Sequence, residues 1–261
     1  MNTIRMNMKS YGNHNAIYDS RILAICPEHV IDNPEHGLYG TKDGYWSGLL
    51  INSMLAKYKA VGIKVWGYIS SGYEGKGGDD GYATKWYSLA QNKLMIKNMA
   101  ELDHVDGIFL DECSEQPNTA SKSYLKELAD YAHSLGLKIW GNTGVDQFNE
   151  WFFTCFDYMQ SSEAWVGQAL SAVQKKWGSR IGVTGFKSTY TAQKAYDLTI
   201  NAWNKGLAYC YINTNEYTKI APWFEEYAQM LRDYQQPAPP CSHNWVVSQY
   251  RCTLCGAVKS A

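Results

Sequence analysis

The sequence predicts an α/β chain folded as a (β/α)8 TIM barrel, and three observations predict it. Short apolar runs alternate with amphipathic helical stretches almost from end to end. Eight such runs can be counted if a weak first one is included. One αβ unit also occurs twice: AVGIKVWGY (60–68) and SLGLKIWGN (134–142) each follow an amphipathic helix. In both copies a glycine is placed to cap the helix, with a buried strand behind it.

In chain order, 3–9 alternates apolar and polar and is the weak first strand. The run 21–26 is the second, halted by Pro27, and 28–45 is read as a long loop. A helix over 46–60 leads to a strand over 62–69, followed by a Gly-rich, acidic loop over 70–81. A helix over 85–102 leads to the fourth strand, Val105-Asp106-Gly107-Ile108-Phe109-Leu110-Asp111-Glu112. The unit repeats with a helix over 119–135 and a strand over 136–142. A short helix (145–152) precedes a strand at 155–160, and a helix over 164–177 precedes one at 180–185. A helix over 191–204, a strand at 206–212 and a last helix over 221–234 complete the pattern. A barrel of this kind takes about 250 residues, so this one is compact, and its first crossover, 12–20, is too short for a helix of normal length. The competing architecture, an open doubly wound sheet, is disfavoured because no Gly-rich phosphate loop follows the first strands.

The sequence divides into a catalytic domain over 1–234, a Pro-rich linker over 235–240 and a small module over 241–261. The last segment is too short for a hydrophobic core. It carries Cys241, His243, Cys252 and Cys255 in a C-x-H … C-x-x-C arrangement. Those are four tetrahedral ligands for a structural Zn2+, without which so small a module would not fold. No cofactor is expected for catalysis. The other cysteines, Cys26, Cys113, Cys155 and Cys210, are scattered as buried or loop-edge thiols rather than a disulfide framework.

Charge excludes some partners. Lys and Arg number 24 against 25 Asp and Glu, so no broad basic field awaits nucleic acid. No apolar run is long enough to cross a bilayer, and residues 1–10 lack the apolar core of a secretory signal. The expectation is synthesis in a reducing compartment, with action on an extracellular or cell-wall glycan after lysis or non-classical export. The 10 Trp and 20 Tyr serve core packing or a sugar-binding groove, where flat rings stack on pyranose faces.

The chemistry is concentrated at predicted strand ends. A buried strand does not tolerate carboxylates in its middle, but its C-terminal end, where the chain meets the ligand face of a barrel, accommodates them. Asp111, Glu112 and Glu163 sit at such ends. Two carboxylates flanking a bond are the minimum for glycoside hydrolysis, one neutral to protonate the leaving oxygen and one ionised as nucleophile or base. Neighbours on a regular strand point to opposite faces, so only one of Asp111 and Glu112 faces the axis. The other orients it or binds a sugar hydroxyl. Tyr68, Asn142, Lys187 and Asn213 also fall at strand ends, as candidate ligands for substrate hydroxyls. Asp106 precedes its strand and belongs to the opposite rim. No His lies at ligand spacing from the acids, which argues against a catalytic metal.

The order of these blocks resembles the spherulin-type glycoside hydrolases (spherulation-specific family 4) and, more distantly, the endo-α-1,4-galactosaminidases. It is carried by Lys64-Val65-Trp66-Gly67-Tyr68-Ile69 with Gly72-Tyr73 after it, the Asp-Glu strand 105–112, Gly141-Asn142-Thr143-Gly144, and Glu163, across roughly 20–165. The resemblance implies an endo-acting enzyme on N-acetylgalactosamine or galactosamine polymers. Asp111 and Glu163 then correspond to the catalytic pair, Glu112 to the acid beside it and Tyr73 to a substrate-loop position. It implies Asp111 as nucleophile or base and Glu163 as general acid, with the swapped roles open. Thr143 stands where the family has proline, Ser161-Ser162-Glu163-Ala164 replaces its Phe-Glu, and 28–45 replaces a Gly-Pro-rich loop. Those loops line the subsites, so catalysis transfers better than substrate identity. Two other readings fit the same features: a phage or bacterial lysozyme-like endolysin, and a non-catalytic carbohydrate-binding or virion structural protein. The tail would bind cell wall or a protein partner.

Overall fold

A computed structural model of the chain describes residues 3–11, 16–33, 49–71, 88–113, 120–214, 219–235, 245–246 and 251–252. Eight parallel strands follow one another in chain order: β1 (Ile4–Tyr11), β2 (Pro27–Asn33), β3 (Lys64–Ser70), β4 (Gly107–Asp111), β5 (Lys138–Asn142), β6 (Tyr158–Ser162), β7 (Ile181–Phe186) and β8 (Tyr209–Asn213). β1 and β8, the ends of that order, lie against each other, so the sheet curls into a nearly closed barrel. The helices are α1 (Ala16–Ile25), α2 (Leu49–Ala60), α3 (Leu89–Asn98), α4 (Lys122–Ser134), α5 (Ala172–Trp177), α6 (Ala192–Asn204) and α7 (Phe224–Gln235).

The largest correction to the sequence reading falls on the second unit. Residues 21–25 are not a strand but the end of α1, Cys26 is the turn after it, and the strand begins at Pro27 and runs into the supposed loop. A short apolar run suits a buried helix face and a buried strand equally. Pro27 decides between them, because the residue before proline is pushed out of the helical region and proline is accepted at a strand's first position. Cys26 turns the chain there with φ 51°. The first crossover therefore does hold a helix. A second correction concerns 164–177, where only the final turns, α5, are helical. The segment before it is irregular and carries Glu163.

The repeated αβ unit is present as expected. Gly62 and Gly136 follow α2 and α4 at φ 87° and 77°, a backbone that a Cβ would strain. Behind them Trp66 and Trp140 enter the barrel interior. There, His29, Trp66, Trp140, Tyr158 and Tyr209, from five strands, pack edge to face or tilted, with ring centroids 4.6–6.0 Å apart. So many large rings fit one layer because β4 and β7 contribute glycines. A Cβ on Gly107 would meet the Trp66 ring at 2.5 Å, and one on Gly182 would meet Trp140 at 2.8 Å. Much of the aromatic content is thus core. This layer closes the end of the barrel away from the strand C-termini, where a 170 Å³ cavity is lined by His29, Lys64, Trp66, Asp106, Lys138 and Tyr158. Asp106 belongs to this rim, as expected, where its carboxylate accepts from the Val65 N–H at 2.8 Å.

Past 235, the described backbone is one short antiparallel pair, Trp245–Val246 with Arg251–Cys252. Cys241, His243 and Cys255, the predicted zinc ligands, lie outside the described residues, as does the side chain of Cys252. Among the described residues no group of three or more His, Cys, Asp or Glu is arranged to hold a metal ion, and no helix is long and apolar enough to cross a membrane.

Candidate active site

At the C-terminal end of the strands, four polar side chains from four strands or their ends meet. Asp111 ends β4, Asn142 ends β5, Glu163 follows β6, and Lys9 comes from β1. The Asn142 Nδ2 donates to Asp111 Oδ1 at 2.7 Å and to Glu163 Oε1 at 3.0 Å. Its amide can face only one way, because Asn142 Oδ1 accepts the Gly144 N–H at 3.0 Å. Gly144 adopts φ 66° to make that turn. Lys9 Nζ donates to Glu163 Oε1 at 2.8 Å and lies 5.3 Å from the centroid of the Phe109 ring.

Asp111 is held by three donors. The Tyr68 hydroxyl bonds Oδ2 at 2.5 Å, and Oδ1 accepts the Glu112 N–H at 2.8 Å as well as Asn142. Burial pushes the Asp111 carboxyl above the usual carboxylate range, and the negative charge of Glu163 pushes it the same way. The Lys9 ammonium, the Tyr68 hydroxyl and the Glu112 N–H pull in the opposite direction. Glu112 leaves the strand with φ 62°, a left-handed backbone uncommon for any residue but glycine. That turn, rather than strand alternation, separates the two acids. Glu112 is tied back to the end of β3, where its side chain accepts from the Ser70 hydroxyl and its carbonyl accepts from the Ser71 hydroxyl at 3.1 Å.

Glu163 reaches the axis because β6 is irregular. The β6–β7 register shifts between Gln160 and Ser162, a bulge that re-aims the chain. The chain is then clamped to β7: the Trp165 N–H donates to the Thr184 carbonyl at 2.8 Å, and Gly185 lets the Trp165 carbonyl approach. The Glu163 side chain is about a third exposed, whereas Lys9 is fully buried.

The other predicted ligands fall differently. Tyr68 is buried against Asp111 and serves that carboxylate. Lys187 is exposed at the end of β7, its N–H donating to the Asn213 carbonyl. Asn213 is fully buried: its Nδ2 donates to the Tyr211 hydroxyl and the Lys219 carbonyl, both at 2.8 Å, and its Oδ1 accepts the Ala221 N–H. It holds the turn into α7. Tyr73 lies outside the described residues. The sequence reading missed Lys9. A lysine in a weakly alternating strand reads as solvent-facing, and only the closure of β1 beside β8 turns it inward.

The arrangement is two carboxylates facing a common space, one locked by three donors and one nearer solvent. The fold recurs in solved glycosidases at low identity. A chitinase from Rhizomucor miehei superposes with a TM-score of 0.55 at 10% identity, covering 87% of this chain and 100% of that one. A chitinase from Chromobacterium violaceum gives 0.53 at 12%, covering 89% and 100%. An alpha-L-fucosidase from Lactobacillus casei gives 0.52 at 12%, covering 89% and 81%. No curated protein matches the sequence. The model of spherulation-specific family 4 matches residues 26–233, and the chain belongs to that family.

Proposed function

We propose that the chain is a glycoside hydrolase that cleaves an amino-sugar polysaccharide containing galactosamine or N-acetylgalactosamine, with Asp111 as nucleophile and Glu163 as acid and base. The observation that carries this reading is the shared amide. Because one Asn142 nitrogen bonds both acids, their two oxygens can be no further apart than those two bonds laid end to end. Two acids that share one donor fit the roughly 5–5.5 Å of retaining pairs better than the roughly 6.5–9.5 Å that leaves room for a water between inverting ones. The reading is therefore a double displacement with net retention.

In the first half-reaction an Asp111 carboxylate oxygen bonds to the anomeric carbon as the glycosidic bond breaks, and the Glu163 proton passes to the leaving oxygen. In the second, water attacks that carbon and gives its proton to Glu163, while the Asp111–carbon bond breaks. The role assignment follows from the donors. Three hydrogen bonds fix the orientation of the Asp111 carboxyl as a nucleophile and oppose the burial that raises it, and the more exposed Glu163 can exchange its proton with solvent. Among the described side chains gathered around Asp111, the acids Asp111, Glu112 and Glu163 outnumber Lys9, a balance that suits a sugar bearing free amines.

The test of the stereochemistry is early-time proton NMR of the reducing end released from a galactosamine polymer. The expected first-formed anomer has the configuration of the cleaved linkage; the opposite anomer contradicts the double displacement. The tail ligands Cys241, His243, Cys252 and Cys255 are proposed to hold a structural zinc, supported by the strand pair that runs from just after His243 to Cys252. Metal analysis of the purified protein, expected to give one zinc per chain, tests that part separately.

A further inference from the structure

The family match begins at residue 26, so β1 lies outside it, yet β1 delivers a charged side chain into the site. Lys9 is fully buried, and burying an ammonium is costly without a paired charge. Among the described residues Glu163 is paired with it, at 2.8 Å. The groups facing the Glu163 carboxyl from the described strands are this ammonium from β1, the Asp111 carboxyl from β4 with the Tyr68 hydroxyl of β3 behind it, and the neutral Asn142 amide from β5.

We propose that Lys9 is a positioning residue that resets the proton on Glu163 between the two half-reactions. This rests on the double displacement above. Before the first step, the negative Asp111 beside Glu163 favours a protonated Glu163, against the pull of Lys9. Once Asp111 is bonded to the sugar, its charge is gone. Lys9 is then the charge nearest Glu163 among these groups and draws it to the ionised form that must take a proton from water. One fixed cation thus lets the same carboxyl serve as acid and then base, because its partner's charge changes and its own does not.

The account is tested by titrating the Glu163 side chain without any substrate. Protein labelled with 13C at glutamate side chains is followed by NMR against pH, and the Glu163 signal is identified by its loss in Glu163→Gln. Asp111→Asn reproduces the uncharged state of the bonded nucleophile. Glu163 is expected to titrate at lower pH in Asp111→Asn than in wild type. Adding Lys9→Met should move it up by about one pH unit or more, the size of an opposite charge at this range. A Glu163 midpoint unmoved by Lys9→Met in the folded protein would overturn the proposal. If Lys9→Met does not fold, Lys9→Gln carries the same comparison, and failure of both to fold would make Lys9 a structural cation and overturn it too. Product release from glycans is a separate readout, so an inactive wild type with a Lys9-dependent Glu163 would contradict the hydrolase reading and leave the charge coupling standing.

Discussion

Lys9 Nζ and Glu163 Oε1 are 2.8 Å apart although 154 residues separate them in sequence. The contact exists because β1 closes the barrel beside β8 and because a bulge in β6 turns the chain toward the axis. The first cause is remote from both residues, and the second is the bulge just before Glu163. The whole site has this character: each acid is held by a group from another strand.

Asn142 is the group that both acids share. Asn142→Ala removes one donor from Asp111 and one from Glu163 while the Gly144 turn keeps its glycine. Loss of a single preorganised donor in such a site costs about 100-fold or more in kcat. We expect a loss of that size in kcat with substrate binding largely kept, read by steady-state kinetics on a soluble oligomer. An unchanged kcat would remove Asn142 from the machinery.

Asp111 is an unfavourable residue for the fold at neutral pH. Its carboxyl is pushed up by burial first and by Glu163 second, so folding favours the protonated form. The stability tied to a raised carboxyl is present at low pH and is lost as pH rises through its folded value. Asp111→Asn keeps the acceptor for Asn142 and the Glu112 N–H and removes the charge. At pH 7 it should raise the thermal midpoint by about 2–4 °C, the size of one kcal/mol in a domain this long. The gain should shrink in acid, where the wild-type residue is itself neutral. Calorimetry at the two pH values checks this; a destabilised variant at pH 7 would contradict it.

Glu28 behaves in the opposite sense at the far end of the barrel. Burial raises its carboxyl, but the hydrogen bond and charge of His29 and the charge of Lys64 outweigh that and hold it down at about 2. The stability it contributes is present above the ordinary glutamate value and is lost as pH falls toward about 2. Glu28→Gln should therefore lower the urea midpoint at pH 7 and flatten its fall between about pH 4.5 and 2. An equally steep acid limb in the variant would assign that limb to other carboxylates.

The strand–helix alternation makes the barrel legible in the sequence, because period-2 and period-3.6 patterns are local. The repeated AVGIKVWGY and SLGLKIWGN units even gave the capping glycines. The run 21–26 was not legible, since six apolar-rich residues carry too little period to tell helix from strand. Asp111 and Glu163 were visible as acids at strand ends. Asn213 was visible in the same way but turns inward to hold a loop, because position at a strand end does not state which side a side chain takes. The reverse case is Lys9, a buried cation that only barrel closure identifies.

The most direct test of the central claim is release of soluble oligosaccharide, read by mass spectrometry. Wild type, Asp111→Asn and Glu163→Gln would each be incubated with a galactosamine-containing polysaccharide and, separately, with peptidoglycan. The account predicts products from the first polymer with wild type alone, and a loss of at least about 1,000-fold in both variants. Products from peptidoglycan only would contradict the substrate reading and favour a cell-wall hydrolase. Undiminished release by Asp111→Asn or Glu163→Gln would contradict the catalytic pair itself.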